Sequence, residues 1–496
     1  MAGLRRFQLN RQAKETFVEQ IYVFIVNAIE NAEIAYSSKI PSIRDFATQL
    51  SCNKNAVVSA YDRLIAGGYI VSKPGSGYFV ARKPTLGQVQ SSSWGAQSPH
   101  AMSNVEKLRY ALVSARDANH KPIISLGGAH LPPEAIPLTH FRSINRTILS
   151  ESSPYPFTYE DPQGLLSLRE NISSHLQHRG IPVRSSQEIV VTNGMVHGIN
   201  MLLSYFTKEG DTVIVEQPTT PFVIEIVNRR RLNPIFIERH GDTVVFPEEN
   251  EEIFRLQPKV IITQPSFQNP TGSTMSSVMR HELIRMASKL GAKIIELDPV
   301  WSLAFEDFVP PPVSALDGLQ NTFYVCSYST SIAPSMRLGY VVGEQSVVEE
   351  IAKCRMTMDV CSPFLEQAMV CEFLKSGKFK KHVQKQKEQY RHNRDILNTM
   401  LKKLAPKEIQ WNIPDGGIFL WLKAVQGASF TDLFPIALER GVAIAPGDLF
   451  YFSCDYRMEM RINFAAFHPV QTWNALNTVF QLWKHKTRTN CSIPGY

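Results

Sequence analysis

Five short apolar runs constrain this chain more than any other feature. They are Glu188-Ile189-Val190-Val191-Thr192, Thr212-Val213-Ile214-Val215, Lys259-Val260-Ile261-Ile262-Thr263, Lys293-Ile294-Ile295 and Phe323-Tyr324-Val325. None alternates polar with apolar residues, so each reads as a strand buried on both faces. Segments of helical period separate them. Alternation of that kind builds a mostly parallel sheet covered by helices. The expected fold class is α/β over residues 121–485, with a small C-terminal α+β part from about residue 375. No internal repeat is present.

A chain of 496 residues exceeds what one core ordinarily serves, and the stretch ahead of the runs reads differently. Residues 17–31 place Ile21, Phe24, Ile25, Ala28 and Ile29 at helical spacing. Ser42, with Asp45 three residues on, predicts the capped start of a second helix running to about Leu50. Beyond the turn Ser51-Cys52-Asn53, a third helix is expected from about Lys54. Its buried side is Ala56, Val57, Ala60, Tyr61, Leu64 and Ile65, and Gly67-Gly68 ends it. Tyr69-Ile70-Val71 and Tyr78-Phe79-Val80 read as strands joined by a Gly/Pro hairpin turn. Three helices and a hairpin make a winged helix-turn-helix over residues 10–84. Residues 85–120 read as a flexible linker, rich in Gln, Ser and Gly at first, with a short helical patch at 104–118.

Charge separates the two parts. Residues 1–84 hold 11 Lys and Arg against 6 Asp and Glu, whereas the remainder holds 41 against 39. A concentrated basic excess suits a polyanion, here double-stranded DNA. The third helix is expected in the major groove, where base edges are legible, with Asn53, Lys54 and Asn55 at its exposed start. Asn53 and Asn55 serve equally well as helix caps. Ser42 and Arg44 at the second helix and Lys73 in the wing are placed for phosphates or a groove, and Gly75 and Gly77 let the wing backbone approach closely.

No run reaches the ~18 apolar residues of a membrane span, and the N-terminus lacks the apolar core of a signal peptide. The seven cysteines have no metal-site or redox-pair spacing. The expectation is a cytoplasmic protein with reduced thiols, no metal and no membrane partner.

The segment KIPSIRDFATQLSCNKNAVVSAYDRLIAGGYIVSKPGSGYFV resembles the DNA-binding domain of GntR-type regulators. The rest resembles fold-type I aminotransferases, which use pyridoxal 5'-phosphate (PLP). Tyr159-Glu160-Asp161-Pro162-Gln163-Gly164 resembles the opening of the large domain, and Gly416 to Trp421 a segment of the small one. Gly194, Met195 and Val196 stand at a strand-to-helix turn whose backbone N–H groups suit a phosphate. By resemblance, Asn269 of Asn-Pro-Thr-Gly bonds the cofactor's phenolic oxygen, and Ser327 and Arg337 belong to the phosphate side. Arg461 of Arg-Ile-Asn-Phe is matched to the arginine that holds a substrate carboxylate as a bidentate pair. The fusion resembles the MocR subgroup. That resemblance implies a head-to-tail homodimer, each DNA module resting over its partner's large domain, and an effector that is PLP or an amino-acid adduct of it.

Three positions depart from the pattern. The family anchors PLP as a Schiff base on a lysine; Thr330 occupies that position, and no lysine lies between Ile294 and Ala352. The pyridine-nitrogen aspartate is replaced by Leu297, and Asp298, one residue on, belongs to the other face of a strand unless the strand ends early or bulges. Thr220 stands where an aromatic ring stacks on the cofactor, with Phe222 two residues on as a candidate substitute. The expected protein is a DNA-binding regulator with a degenerate effector or dimerisation domain. It has no catalytic residue, and PLP or another anionic metabolite is bound non-covalently. The alternative is an active PLP-dependent aminotransferase fused to a DNA-binding module.

Overall fold

The computed structural model describes residues 7, 9–11, 15–30, 34, 38–67, 69–73, 76–81, 123–150, 158–306, 309–453 and 457–491. They belong to two compact units, Met1–Ala101 and Met102–Tyr496. Gly75, the 85–120 linker and the helical patch at 104–118 lie outside the described residues.

The first unit is built from α1 (Phe17–Glu30), β1 (Lys39–Ile40), α2 (Ile43–Gln49), α3 (Lys54–Ala66), β2 (Ile70–Lys73) and β3 (Gly77–Val80). Ile21, Ile25, Ala28 and Ile29 of α1 share one core with Phe46, Val57, Ala60, Tyr61 and Leu64. Ser42 caps α2, its Oγ accepting from the Asp45 amide at 3.2 Å. β2 and β3 form the expected antiparallel hairpin, with Ile70 opposite Val80 and Lys73 opposite Gly77.

Two local readings are corrected. β1 adds a third strand to the wing, Lys39 opposite Phe79, because a two-residue strand has no period to detect. Ile65 is exposed rather than buried, since the core-facing stripe of α3 passes through Val57, Ala60, Tyr61 and Leu64. Gly67 is the C-cap of α3, at φ −77°, where the sequence places the end of that helix.

In the second unit the strands are β4 (Ile124–Ser125), β5 (Ile189–Thr192), β6 (Thr212–Gln217), β7 (Asn233–His240), β8 (Thr243–Val245), β9 (Val260–Thr263), β10 (Lys293–Leu297), β11 (Thr322–Ser327) and β12 (Gly339–Val342). Eight of them form a sheet in the order β5-β12-β11-β10-β9-β6-β7-β8. The five apolar runs supply β5, β6, β9, β10 and β11. β12 is antiparallel to both of its neighbours and β8 to β7, so the sheet is mixed with a parallel centre. The helices Met195–Phe206 and Gln345–Arg355 share a core with this sheet.

The helix Lys378–Leu404 leads to a second sheet. It comprises β13 (Ile409–Trp411), β14 (Phe419–Ala424), β16 (Ala445–Pro446) and β17 (Glu459–Asn463), ordered β13-β14-β17-β16 and antiparallel throughout. β15 (Val442–Ala443) instead pairs in parallel with β4, tying the 123–131 stretch to this smaller part. The C-terminal ends of β5, β10 and β11 and the loop after β9 meet at one crevice, the ordinary place for a ligand in an open α/β sheet.

Candidate functional site

That crevice holds a cavity of about 430 Å³. Met195, Val196, Asn269, Ser327, Thr330 and Arg337 all line it. The resemblance to aminotransferases assigned these residues to one site, and the fold brings them together.

The anion end is built by a glycine. β5 stops at Thr192, and Gly194, at φ +90°, turns the chain into the helix Met195–Phe206 with no side-chain cap. The first N–H groups of that helix therefore face the crevice, carrying the positive end of its dipole. Arg337 stands across from them and donates to the Asn193 carbonyl and the Ser329 hydroxyl, both at 3.4 Å. Among the described residues no carboxylate comes within ion-pair distance of it. Ser327, at the end of β11, accepts from the Ser329 amide at 3.2 Å. Helix N-terminus, guanidinium and hydroxyls together suit a phosphate.

Beneath the turn lies a network that sequence reasoning missed. Arg355 is fully buried, donates to both carboxylate oxygens of Asp359 (2.8 and 2.9 Å) and reaches the Val191 carbonyl at 2.6 Å. Asp359 accepts from Asn193, whose amide N–H donates to His197 Nδ1 at 3.0 Å. Burial holds the His197 imidazole below its ordinary range, with Asp359 opposing and Arg355 assisting. The nearest signal was the helical spacing of Arg355 and Asp359.

Arg461 lies deep in β17, only 2 % exposed. Its Nε and Nη2 donate to the Gly127 carbonyl at 3.1 and 2.6 Å, and its Nη1 donates to Asn269 Oδ1 at 2.7 Å. The guanidinium carbon sits 4.1 Å from the Phe419 ring centre and 4.8 Å from that of Phe450. The edge expected to grip a carboxylate is thus covered by a backbone carbonyl. Burial pushes the Arg461 pKa down to about 9. Among the described residues it has no carboxylate partner, so it is a buried cation with dipoles alone around it.

The three positions read as departures have definite geometry. The Thr330 hydroxyl lies in the cavity wall and donates to the Pro299 carbonyl. No lysine is among the residues lining the cavity. Leu297 is buried in the sheet's core, and β10 keeps its register with β11 up to Leu297 opposite Val325. Asp298 stays in line, its amide donating to the Val325 carbonyl, and its carboxylate accepts from Arg179 (2.8 Å) and the Tyr324 hydroxyl (3.0 Å). It does not line the cavity. Thr220 and Phe222 both do, Thr220 with a buried hydroxyl that has no hydrogen-bond partner among the described residues.

In the first unit, Arg44, Asn53, Lys54, Asn55 and Lys73 are exposed. Asn53 caps α3 by accepting from the Asn55 amide at 2.9 Å, and Ser42 is occupied in capping α2. Lys73 Nζ rests 4.9 Å above the Phe79 ring in the wing. Gly77 takes φ +104°, and a Cβ there would meet the Lys39 side chain at 3.2 Å. Lys39, absent from the sequence reading, therefore joins the basic wing.

No helix among the described residues is long and apolar enough to cross a membrane, and no group of three or more His, Cys, Asp or Glu among them is placed to hold a metal ion.

Comparison with known proteins matches these parts in order. Residues 17–80 match the family of bacterial regulatory proteins, gntR family, and residues 140–479 match the family aminotransferase class I and II. The chain is 28% identical over 437 residues to the uncharacterized HTH-type transcriptional regulator YdfD of Bacillus subtilis (strain 168), covering 87% of this chain and 89% of that one. It is 26% identical over 478 residues to the uncharacterized HTH-type transcriptional regulator YisV of the same organism, covering 93% and 95%. Among solved structures, a kynurenine aminotransferase of Pyrococcus horikoshii superposes with a TM-score of 0.72 at 25% identity, covering 81% of this chain and 98% of that one. The chain belongs to the class I and II aminotransferase family, and a gntR-family regulatory module precedes that domain.

Proposed function

We propose that the protein is a DNA-binding transcription regulator whose aminotransferase-like domain is a ligand-binding and dimerisation unit without transaminase activity. The observation that carries this reading is the wall of the cavity. Thr330, which the resemblance matches to the Schiff-base lysine, lines that wall with its hydroxyl turned to the Pro299 carbonyl. A hydroxyl cannot form an imine, and Leu297 offers a pyridine nitrogen no charge.

PLP fits one end of the site and not the other. When bound in an enzyme of this fold, it supplies an electron sink through its protonated ring. Here the phosphate end is intact, with Gly194, the Met195 and Val196 amides, Ser327 and Arg337 able to hold the dianion. The covalent and ring-nitrogen positions are not equipped, and Asp298 is committed to Arg179 and Tyr324. Non-covalent binding of PLP, its amine form or a preformed PLP–amino acid adduct is the use these residues support. Arg461 supports the adduct in particular, because a buried cation without a counter-charge is costly unless an anion arrives. A carboxylate would take the place of the Gly127 carbonyl.

In the first unit, the exposed start of α3 and the wing form the DNA face, with Arg44, Lys54 and Lys73 supplying charge. Asn53 and Ser42 act as caps that fix the helices presenting those charges. The likeness to full-length regulators over both parts supports one regulatory protein in place of two independent activities. Absorbance of the full chain with PLP, before and after borohydride, tests the reading of the cavity. Unchanged mass after reduction is expected. A reducible chromophore fixed to the chain would overturn it.

A further inference from the structure

The second unit holds another cavity, of about 590 Å³, that shares no lining residue with the one above. Its walls come from the 132–140 stretch, the N-terminal half of the helix Lys378–Leu404 and residues 465 and 467. Gln386 and Tyr390, one helical turn apart, both line it at 4 % and 1 % exposure. Among the described residues no hydrogen bond of ordinary geometry reaches Nε2 or Oε1 of Gln386 or the Tyr390 hydroxyl, and the hydroxyl and the Gln386 side chain meet each other only loosely. The next turn contrasts with this. Asn393 donates to the Phe464 carbonyl at 3.1 Å and accepts from Gln389 at 2.9 Å. Asn393, which lines the same cavity, is thus met by the chain itself, unlike these three atoms. Lys381 and Lys385 stand exposed at the rim on the same helix, against one acid, Glu134.

We propose that this cavity is a second small-molecule site. It takes a small organic anion whose charge meets Lys381 and Lys385 and whose amide or hydroxyl group answers Gln386 and Tyr390. Its size falls within the range of about 300–1,000 Å³ usual for small-molecule sites. A buried amide with both ends unmet is costly, and a ligand that donates and accepts removes that cost. A bare carboxylate only accepts, so it leaves Oε1 unanswered.

Calorimetry on the full chain with succinamate and with glycerol 3-phosphate, up to about 10 mM, tests this. That ceiling exceeds the roughly 1 mM dissociation constant of a weak site. At least one probe is expected to bind saturably, and to bind at least about tenfold more weakly to Lys385→Gln and to Gln386→Met. Lys385 is exposed, so its substitution keeps the test decisive should Gln386→Met fail to fold. No saturable binding by either probe overturns the proposal. So does binding that survives Lys385→Gln, or binding lost in Arg337→Ala but kept in Lys385→Gln, which belongs to the first cavity.

Discussion

A Cβ atom added to Gly194 would stand 2.9 Å from Nη2 of Arg337. The turn and the arginine therefore depend on each other, because the guanidinium fits against the helix N-terminus only where no side chain intervenes. The φ of +90° at Gly194 adds a backbone cost for any other residue. Gly194→Ala is expected to lower stability by about 1–3 kcal/mol and to weaken PLP binding at least about tenfold. Urea unfolding and calorimetry check the two effects separately.

On the proposed reading, Thr330→Lys supplies the cavity with an amine but adds no charge at Leu297. The variant is expected to yield a PLP adduct that borohydride fixes, seen as a mass increase, while amino-group transfer from an amino acid stays at background. Adding Leu297→Asp should be required before any turnover is measured. Turnover in Thr330→Lys alone would show that the present ring environment is already competent.

Arg179 and Tyr324 are the partners of a carboxylate only 1 % exposed, that of Asp298. Arg179→Ala leaves that charge buried beside one neutral hydroxyl. A loss of about 3 kcal/mol is expected, as for other buried pairs broken from one side. Chemical denaturation of the variant measures it, and a loss within noise would refute the contribution assigned to this pair.

On the DNA face, capping and contact residues should separate. Ser42→Ala is expected to cost about 1 kcal/mol of stability through loss of the α2 cap. Arg44→Ala and Lys54→Ala should leave stability unchanged but weaken binding across sequences, each lowering the salt slope by about 0.9. Gel shifts at several salt concentrations, beside thermal melts, distinguish the two behaviours.

Burial holds the imidazoles of His130, His175, His197 and His382 below their ordinary range. The folded chain keeps them neutral at a pH where the unfolded chain already binds protons. Stability is therefore complete above the ordinary histidine value of about 6.5 and falls as pH drops toward the lowered folded values. Denaturant midpoints between pH of about 7.5 and 5.5 should fall, and His→Gln substitutions at these sites should flatten the decline.

Much of this was legible because it is local. The Gly194 turn, the Asn269 loop and the capped starts of α2 and α3 lie within a few residues of their own signals. The direction of Asp298 followed from the two-residue period of a strand, and β10 keeps that period to its end. The grip of the Gly127 carbonyl on Arg461 joins positions 334 residues apart, and no spacing encodes it. β1 was too short to carry a pattern. The Arg355–Asp359 network was invisible for a different reason, since an arginine and an aspartate four residues apart on a helix ordinarily read as surface charge.

Arg461, 4.1 and 4.8 Å from two phenylalanine ring centres and answered by a carbonyl and an amide oxygen, leaves the folded chain with half of an electrostatic pair. Any anion that completes the pair binds the native chain alone, so mass action adds its binding free energy to the fold. The metabolite that settles there would then set how long the regulator survives in the cell as well as what it does, and its lifetime would report the supply of that metabolite before any gene responds.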